Sequence, residues 1–211
     1  MKINKWMLLI IILSIIGIAV VYPSLPEEIP GHWNAAGEVN RYDHKASVWI
    51  TGLLPLGIYL LMVFLPKIDP KRAAYLKHEK AYMIAQWVIV LLLIYIQWIA
   101  IAAALGYGVD IGIAIRLALG IVFILLGNYM SQIRHNYFFG IRNPWTLANE
   151  QVWKKTHRVG GYGFVIVGII SVLTTFTTGT TAFAITIGSL VIMVSVTFVY
   201  SYLTYKKVTK E

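Results

Sequence analysis

The 211-residue sequence contains no cysteine. That excludes disulfides, thiolate metal sites, iron–sulfur clusters and a cysteine nucleophile. Charge is scarce too: 13% of residues are Asp, Glu, Lys or Arg, where soluble domains carry roughly a quarter. Acid is scarcer still, with 9 Asp and Glu against 18 Lys and Arg, for a formal net charge of +9. No His-Glu-x-x-His pattern, Gly-x-Ser-x-Gly elbow or phosphate-binding loop occurs, so the usual signatures of zinc proteases, α/β-hydrolases and P-loop enzymes are missing. The chain is rich instead in apolar residues, at 58%. A soluble core of this size does not need so many. Lipid-facing spans do, because each charge there costs about 2.5–3.5 kcal/mol on insertion scales.

Six apolar runs approach the roughly 20 residues that cross a bilayer core of about 30 Å. They are Trp6 to Tyr22, Val48 to Leu65 with Pro66 as its stop, Ala81 to Leu105, Ile111 to Met130, Gly160 to Phe176, and Ala182 to Tyr205. The first starts like a signal peptide after Lys2 and Lys5. It ends in Val20-Val21-Tyr22-Pro23 without a small-x-small cleavage pattern, and reads as a retained anchor helix. The predicted fold is an all-α integral membrane protein, a bundle of six transmembrane helices. Of the 18 Lys and Arg, all but Arg41, Lys45 and Arg116 fall in the two tails and in the second and fourth connections. The positive-inside rule then places both termini in the cytoplasm, with the protein multi-pass in the membrane. Basic charge is thereby assigned to topology, and no direct nucleic-acid binding is expected. Tryptophans and tyrosines near the helix ends, such as Trp6, Trp49 and Tyr205, read as an interfacial belt. Gly112, Gly120 and Gly127 in one span, and Gly160, Gly161, Gly163 and Gly168 in the next, predict close helix approach.

Two connections are long. The outer one, about 23–47, holds His32, Trp33 and Asn34 between turn residues, with Asp43 nearby. It reads either as an ordered turn with Trp33 packed on the membrane surface or as a recognition surface for something outside the cell. The cytoplasmic one, about 131–159, contains Asn143-Pro144, an N-cap followed by proline at the first helical position. A short amphipathic helix is predicted from Pro144 to Arg158, ending before Gly160-Gly161. On it Glu150 and Lys154 are spaced for an ion pair, and Glu150 and His157 share a face. His135, Glu150 and His157 are zinc-ligand types at loose spacing. They are the candidates should a metal ion be bound. The plainer reading pairs Glu150 with Lys154 or an arginine and bonds the histidines to backbone, so no cofactor is expected. Ionisable residues are nearly absent from the spans, which argues against ion-coupled transport.

The cytoplasmic stretch carries a resemblance. Gly127-Asn128-Tyr129, then Arg134-His135-Asn136-Tyr137-Phe138-Phe139-Gly140-Ile141-Arg142-Asn143-Pro144-Trp145-Thr146-Leu147, then Asn149-Glu150, Val152-Trp153, Thr156-His157-Arg158 and Gly160-Gly161 together resemble the signature of the bacterial SdpI immunity-protein family. Leu25-Pro26, Ile29-Pro30, His32-Trp33-Asn34, Gly37 and Lys45 are similar to a domain of unknown function that often precedes it. The resemblance divides the chain into a two-span segment, 1–66, and a four-span segment, 67–211, with the signature at 127–161. It implies a protein that acts by binding rather than turnover. It would protect the cell from a secreted toxic peptide and hold a cytoplasmic transcriptional repressor at the membrane. Carried onto this chain, His32, Trp33, Asn34 and Asp43 form the candidate ligand surface. Asn128, Arg134, His135, Asn136, Arg142, Pro144, Trp145, Asn149, Glu150, His157 and Arg158 form the cytoplasmic working surface. The alternative is a membrane enzyme or small-substrate carrier, metal-dependent through His135, Glu150 and His157.

Overall fold

Each apolar run becomes a long helix. The computed structural model describes residues 3–177 and 179–210; Lys2, counted above in the first tail, lies outside them. Among the described residues six helices are long and apolar enough to cross a membrane. They are α1 (Lys5–Val21), α2 (Ser47–Ile68), α4 (Glu79–Ala104), α5 (Ile111–Met130), α7 (Glu150–Leu173) and α8 (Gly179–Val208); the short helices α3 (Ala73–Lys77) and α6 (Pro144–Ala148) lie in connections. The protein is a predominantly helical, multi-pass membrane protein.

The helices pack in series. α1 and α2 lean on α4, α4 on α5, α5 on α7, and α7 on α8. α4 therefore joins an N-terminal pair to a C-terminal trio. Met7, Ile11, Tyr59, Val63 and Val90 form the core of the first group. The Tyr59 hydroxyl accepts the Asn4 backbone N–H at 2.6 Å, and Trp98 Nε1 donates to Ser14 Oγ at 2.9 Å, tying α1 to α2 and α4. Apolar side chains such as Leu13, Val20, Phe64, Ile192 and Val196 stay exposed on the flanks, as lipid-facing surface should.

The α5–α7 contact rests on two glycine pairs seven residues apart on each helix. A Cβ on Gly127 would lie 2.7 Å from the Gly161 carbonyl oxygen, and one on Gly161 would lie 2.9 Å from that of Gly127. Gly120 and Gly168 repeat the arrangement at 2.8 and 2.6 Å. Only glycine lets the backbones meet this closely.

Three local expectations change. Pro66 does not stop α2, which runs on to Ile68. Proline removes the N–H that would bond the Met62 carbonyl; the Tyr82 hydroxyl on α4 donates to that oxygen instead, at 2.6 Å. The predicted helix from Pro144 to Arg158 breaks at Asn149, whose backbone is extended (φ −143°, ψ 127°). There α6 ends and α7 begins, and α7 passes straight through Gly160-Gly161 because those glycines meet α5 and the signature loop. The long first loop is a β-hairpin. β1 (Glu28–Trp33) pairs antiparallel with β2 (Val39–His44), with an irregular register beside His32. Leu25 and Ile29 plug its base against Ile18, Val48 and Ile101.

Candidate functional site

At the hairpin end, Asn34 builds the turn. Its Oδ1 accepts the backbone N–H groups of Ala36 (2.9 Å) and Glu38 (3.0 Å), and its amide donates to the Glu38 carboxylate. Gly37 closes the turn at φ +88°, a conformation that favours glycine. His32 Nδ1 pairs with Asn40 Oδ1 at 2.6 Å, and Asp43 with Arg41 at 3.1 Å. Beneath the hairpin is a cavity of about 330 Å³. His32, Trp33 and Asn34 line one side. Ile96 and Ile99 of α4, Ile115 and Leu119 of α5, and Phe183 and Ile187 of α8 line the rest, with Arg116 among them. The four predicted loop residues are thus on one hairpin, but Asp43 does not line the cavity.

At the other end the signature stretch folds into a buried knot. Asn136 is fully buried. Its amide donates to the carbonyls of Arg134 (2.8 Å) and Phe139 (2.9 Å), and its Oδ1 accepts from Phe138 N, Phe139 N and the Tyr75 hydroxyl. His157 is also fully buried. Its Nε2 accepts the Ile141 N–H at 2.9 Å, so Nδ1 carries the proton and donates to the Trp153 carbonyl. Gly140, at φ +112°, lies against the His157 ring, where a Cβ would strike Nε2. Asn143 caps α6 in a capping box with Thr146, and its amide reaches Ser201 on α8 at 2.8 Å. Pro144 follows it as the first residue of α6. Asn149 caps α7 through Gln151 and Val152. Trp145 packs on Phe198 and Tyr202 of α8.

Of the remaining signature residues, His135 is buried and the others reach the surface in separate places. Glu150 pairs with Lys154 at 2.9 Å, as its spacing predicts. His157 stacks on Trp153 with centroids 4.0 Å apart, and His135 lies tilted against it at 5.0 Å. Both His157 nitrogens are committed to backbone, and among the described residues no three His, Cys, Asp or Glu side chains converge as a metal site. Arg142 is exposed and donates to the Tyr137 carbonyl. Asn128 and Arg158 share a small cleft of about 190 Å³ with Ser131 and Tyr162.

The connection between α2 and α4 supplies residues that sequence reading passed over. Asp69 is 2% exposed. Its carboxylate accepts from Lys71 N (2.7 Å) and Tyr137 N (2.9 Å) and shares the single Tyr75 hydroxyl proton with Asn136 Oδ1, at 3.0 and 3.1 Å, binding this connection to the signature knot. Burial, then the Asp69 charge, pushes the Tyr75 hydroxyl pKa up, so it stays a donor. His78 Nδ1 accepts the Arg134 N–H at 3.1 Å. Lys71 Nζ sits 2.8 Å from His135 Nδ1. An ammonium can only donate, so His135 is the neutral acceptor there. Burial and the Lys71 charge both lower the His135 pKa, which fits. One signal was available: Asp69 is the lone carboxylate between Asp43 and Glu79, set among Lys67, Lys71, Arg72 and Lys77.

The SdpI/YfhL protein family model matches residues 132–201, and that of the Domain of unknown function (DUF1648) matches residues 9–56. Over 207 residues the chain is 30% identical to Immunity protein SdpI of Bacillus subtilis (strain 168), with 98% of each chain covered. The chain belongs to the SdpI family. No solved structure matches it. The SdpI match takes in the knot, α6, α7 and most of α8, while the DUF1648 match takes in most of α1, the hairpin and the start of α2. Asp69, Lys71, Tyr75 and His78 lie between the two matched segments of this SdpI-family chain, yet they close the knot.

Proposed function

We propose that this protein is a membrane immunity protein that protects its cell from a secreted toxic peptide. The near full-length similarity to a protein named for immunity supports the class. The observation that carries the site is the cavity under the hairpin. It offers apolar walls from three spans beneath an exposed loop bearing His32 and Trp33, the form expected of a pocket for an apolar peptide segment. Occupancy couples to the opposite end only if the peptide binds two bundle arrangements with different affinity. α5 and α8, which line the cavity, also run to the signature end, where exposed Arg142 and Arg158 offer a surface for a cytoplasmic repressor.

Survival of a toxin-sensitive strain expressing the protein, with membrane abundance checked by blot, tests the reading. Wild type should raise survival well above empty vector. Trp33→Ala, and Ile99→Trp to fill the cavity, should lose protection at unchanged abundance. Full protection by both variants removes the cavity as the site. No protection by abundant wild type removes the immunity reading. Arg142→Ala should reduce co-sedimentation of the repressor with membranes; unchanged co-sedimentation rejects that surface.

A further inference from the structure

A second cleft, of about 700 Å³, opens at the signature end between the α2–α4 connection, the signature loop and the start of α7. Four cations line it: Lys71, Lys77, Arg134 and Lys154. Its one carboxylate, Glu150, is already paired with Lys154. Among the described residues Lys71, Lys77 and Arg134 form no ion pair. Lys71 is nevertheless held in place. Its backbone N–H is fixed by the buried Asp69 carboxylate, and its ammonium bonds the His135 ring, which packs tilted against buried Trp153. A neutral ring orients the ammonium without cancelling its charge, as a carboxylate would. The Asp69–Tyr75–Asn136 network thus presents an uncompensated cation at the cleft wall.

We propose that this cleft binds the phosphate of an anionic phospholipid headgroup from the adjoining leaflet. All four cations stand just beyond or within the first turns of span ends, at headgroup level. Basic pockets between spans hold anionic headgroups at that level. α3, which bears Lys77, turns Leu76, 80% exposed, to the neighbouring cleft with Ile3, Pro66 and Met83 rather than to this one. The lipid source therefore rests on the position of the four cations at the span ends, where acyl chains adjoin the cleft. This site is separate from the cavity under the hairpin and does not depend on the immunity reading.

The test uses the purified full-length chain in an uncharged maltoside detergent, mixed with equal phosphatidylglycerol and phosphatidylcholine. Lipid retained after gel filtration is counted by mass spectrometry. Wild type should enrich phosphatidylglycerol. Lys77→Gln with Lys154→Gln changes two exposed side chains and leaves the buried network alone. It should cut that enrichment by about fivefold per cation removed. Lys71→Gln should also cut it. Lys206→Gln with Lys207→Gln removes two charges from the same end of the bundle, outside the cleft, and should leave enrichment intact. Equal retention of the two lipids by wild type overturns the proposal, as does an equal loss in the Lys206/Lys207 variant. Displacement of phosphatidylglycerol by inorganic phosphate, with phosphate binding in the absence of lipid, assigns the cleft to a soluble anion and overturns the lipid source.

Discussion

The His78 ring accepts the Arg134 backbone N–H at Nδ1, so a proton arriving on that nitrogen would end the bond. Burial comes first, then the Arg134 guanidinium, in lowering its pKa from 6.5 to about 4; Asp69 opposes them. Tyr75, Tyr82 and Phe139 pack around the ring. Between those two values the unfolded chain binds the proton and the folded chain does not. Stability therefore rises with pH across that window and is lost as pH falls from 6.5 towards 4. The contribution is at most about 3.4 kcal/mol, at 1.36 kcal/mol per pKa unit, and is smaller to the extent that water screens the ring. His78→Asn keeps a side-chain acceptor that does not titrate. Thermal unfolding in detergent between pH 7.5 and pH 4.5 should then fall less steeply for the variant than for wild type; equal slopes would remove His78 as the cause. At this scale the sequence was half legible. Asn136 and His157 stood out because polar residues crowd the signature. Asp69 and Tyr75 did not, because their partners Tyr137 and Asn136 lie more than 60 residues away, and no local spacing reports such a bond.

Between elements, the α5–α7 glycine pairs decide whether the trio of C-terminal helices closes. Gly161→Ala places a methyl 2.9 Å from the Gly127 carbonyl oxygen, so the helices must separate. Overpacking of this kind costs about 1–3 kcal/mol, and Gly127→Ala should cost the same. Gly188 on α8 has open space where a Cβ would stand, so Gly188→Ala should be neutral or slightly stabilising. Unfolding midpoints of the three variants in one detergent would check this, and equal midpoints would reject the contact as a determinant. Spacing alone gave these glycines as close-approach positions, since small residues at helical intervals have few other uses in lipid. Helix ends were less legible. Pro66 reads as a stop because its rescue by Tyr82 comes from another span. Asn149 reads as a position inside one continuous helix, because its role as a second cap depends on where Thr146 and Val152 are buried. The hairpin was hidden by Pro30 and Gly31, which weaken a strand signal, and by a β1 that rests on α4 rather than on a larger sheet.

For the whole molecule, the span count was legible in six apolar runs near the spanning length, whereas the serial packing was not, because it rests on contacts between spans. Orientation is the expectation that charge sets, and under the proposed function it decides which end would meet a secreted peptide. The hairpin end carries Arg41, Lys45 and Arg116; the signature end carries the other basic residues, among them Lys71, Arg134, Lys154 and Lys206. The positive-inside rule predicts that the hairpin faces outward. The lack of cysteine makes the test clean, because a single introduced thiol is the only one present. Glu38→Cys lies in the exposed hairpin turn and Lys155→Cys on the exposed face of α7. A membrane-impermeant maleimide added to intact cells should label Cys at position 38 and reach position 155 only after lysis. The opposite pattern would turn the hairpin towards the cytoplasm. The cavity beneath it could not then meet a peptide arriving from outside, and the basic cleft would face the outer leaflet. Because the six spans among the described residues alternate in direction, these two labels together determine the side of the membrane that each proposed site faces.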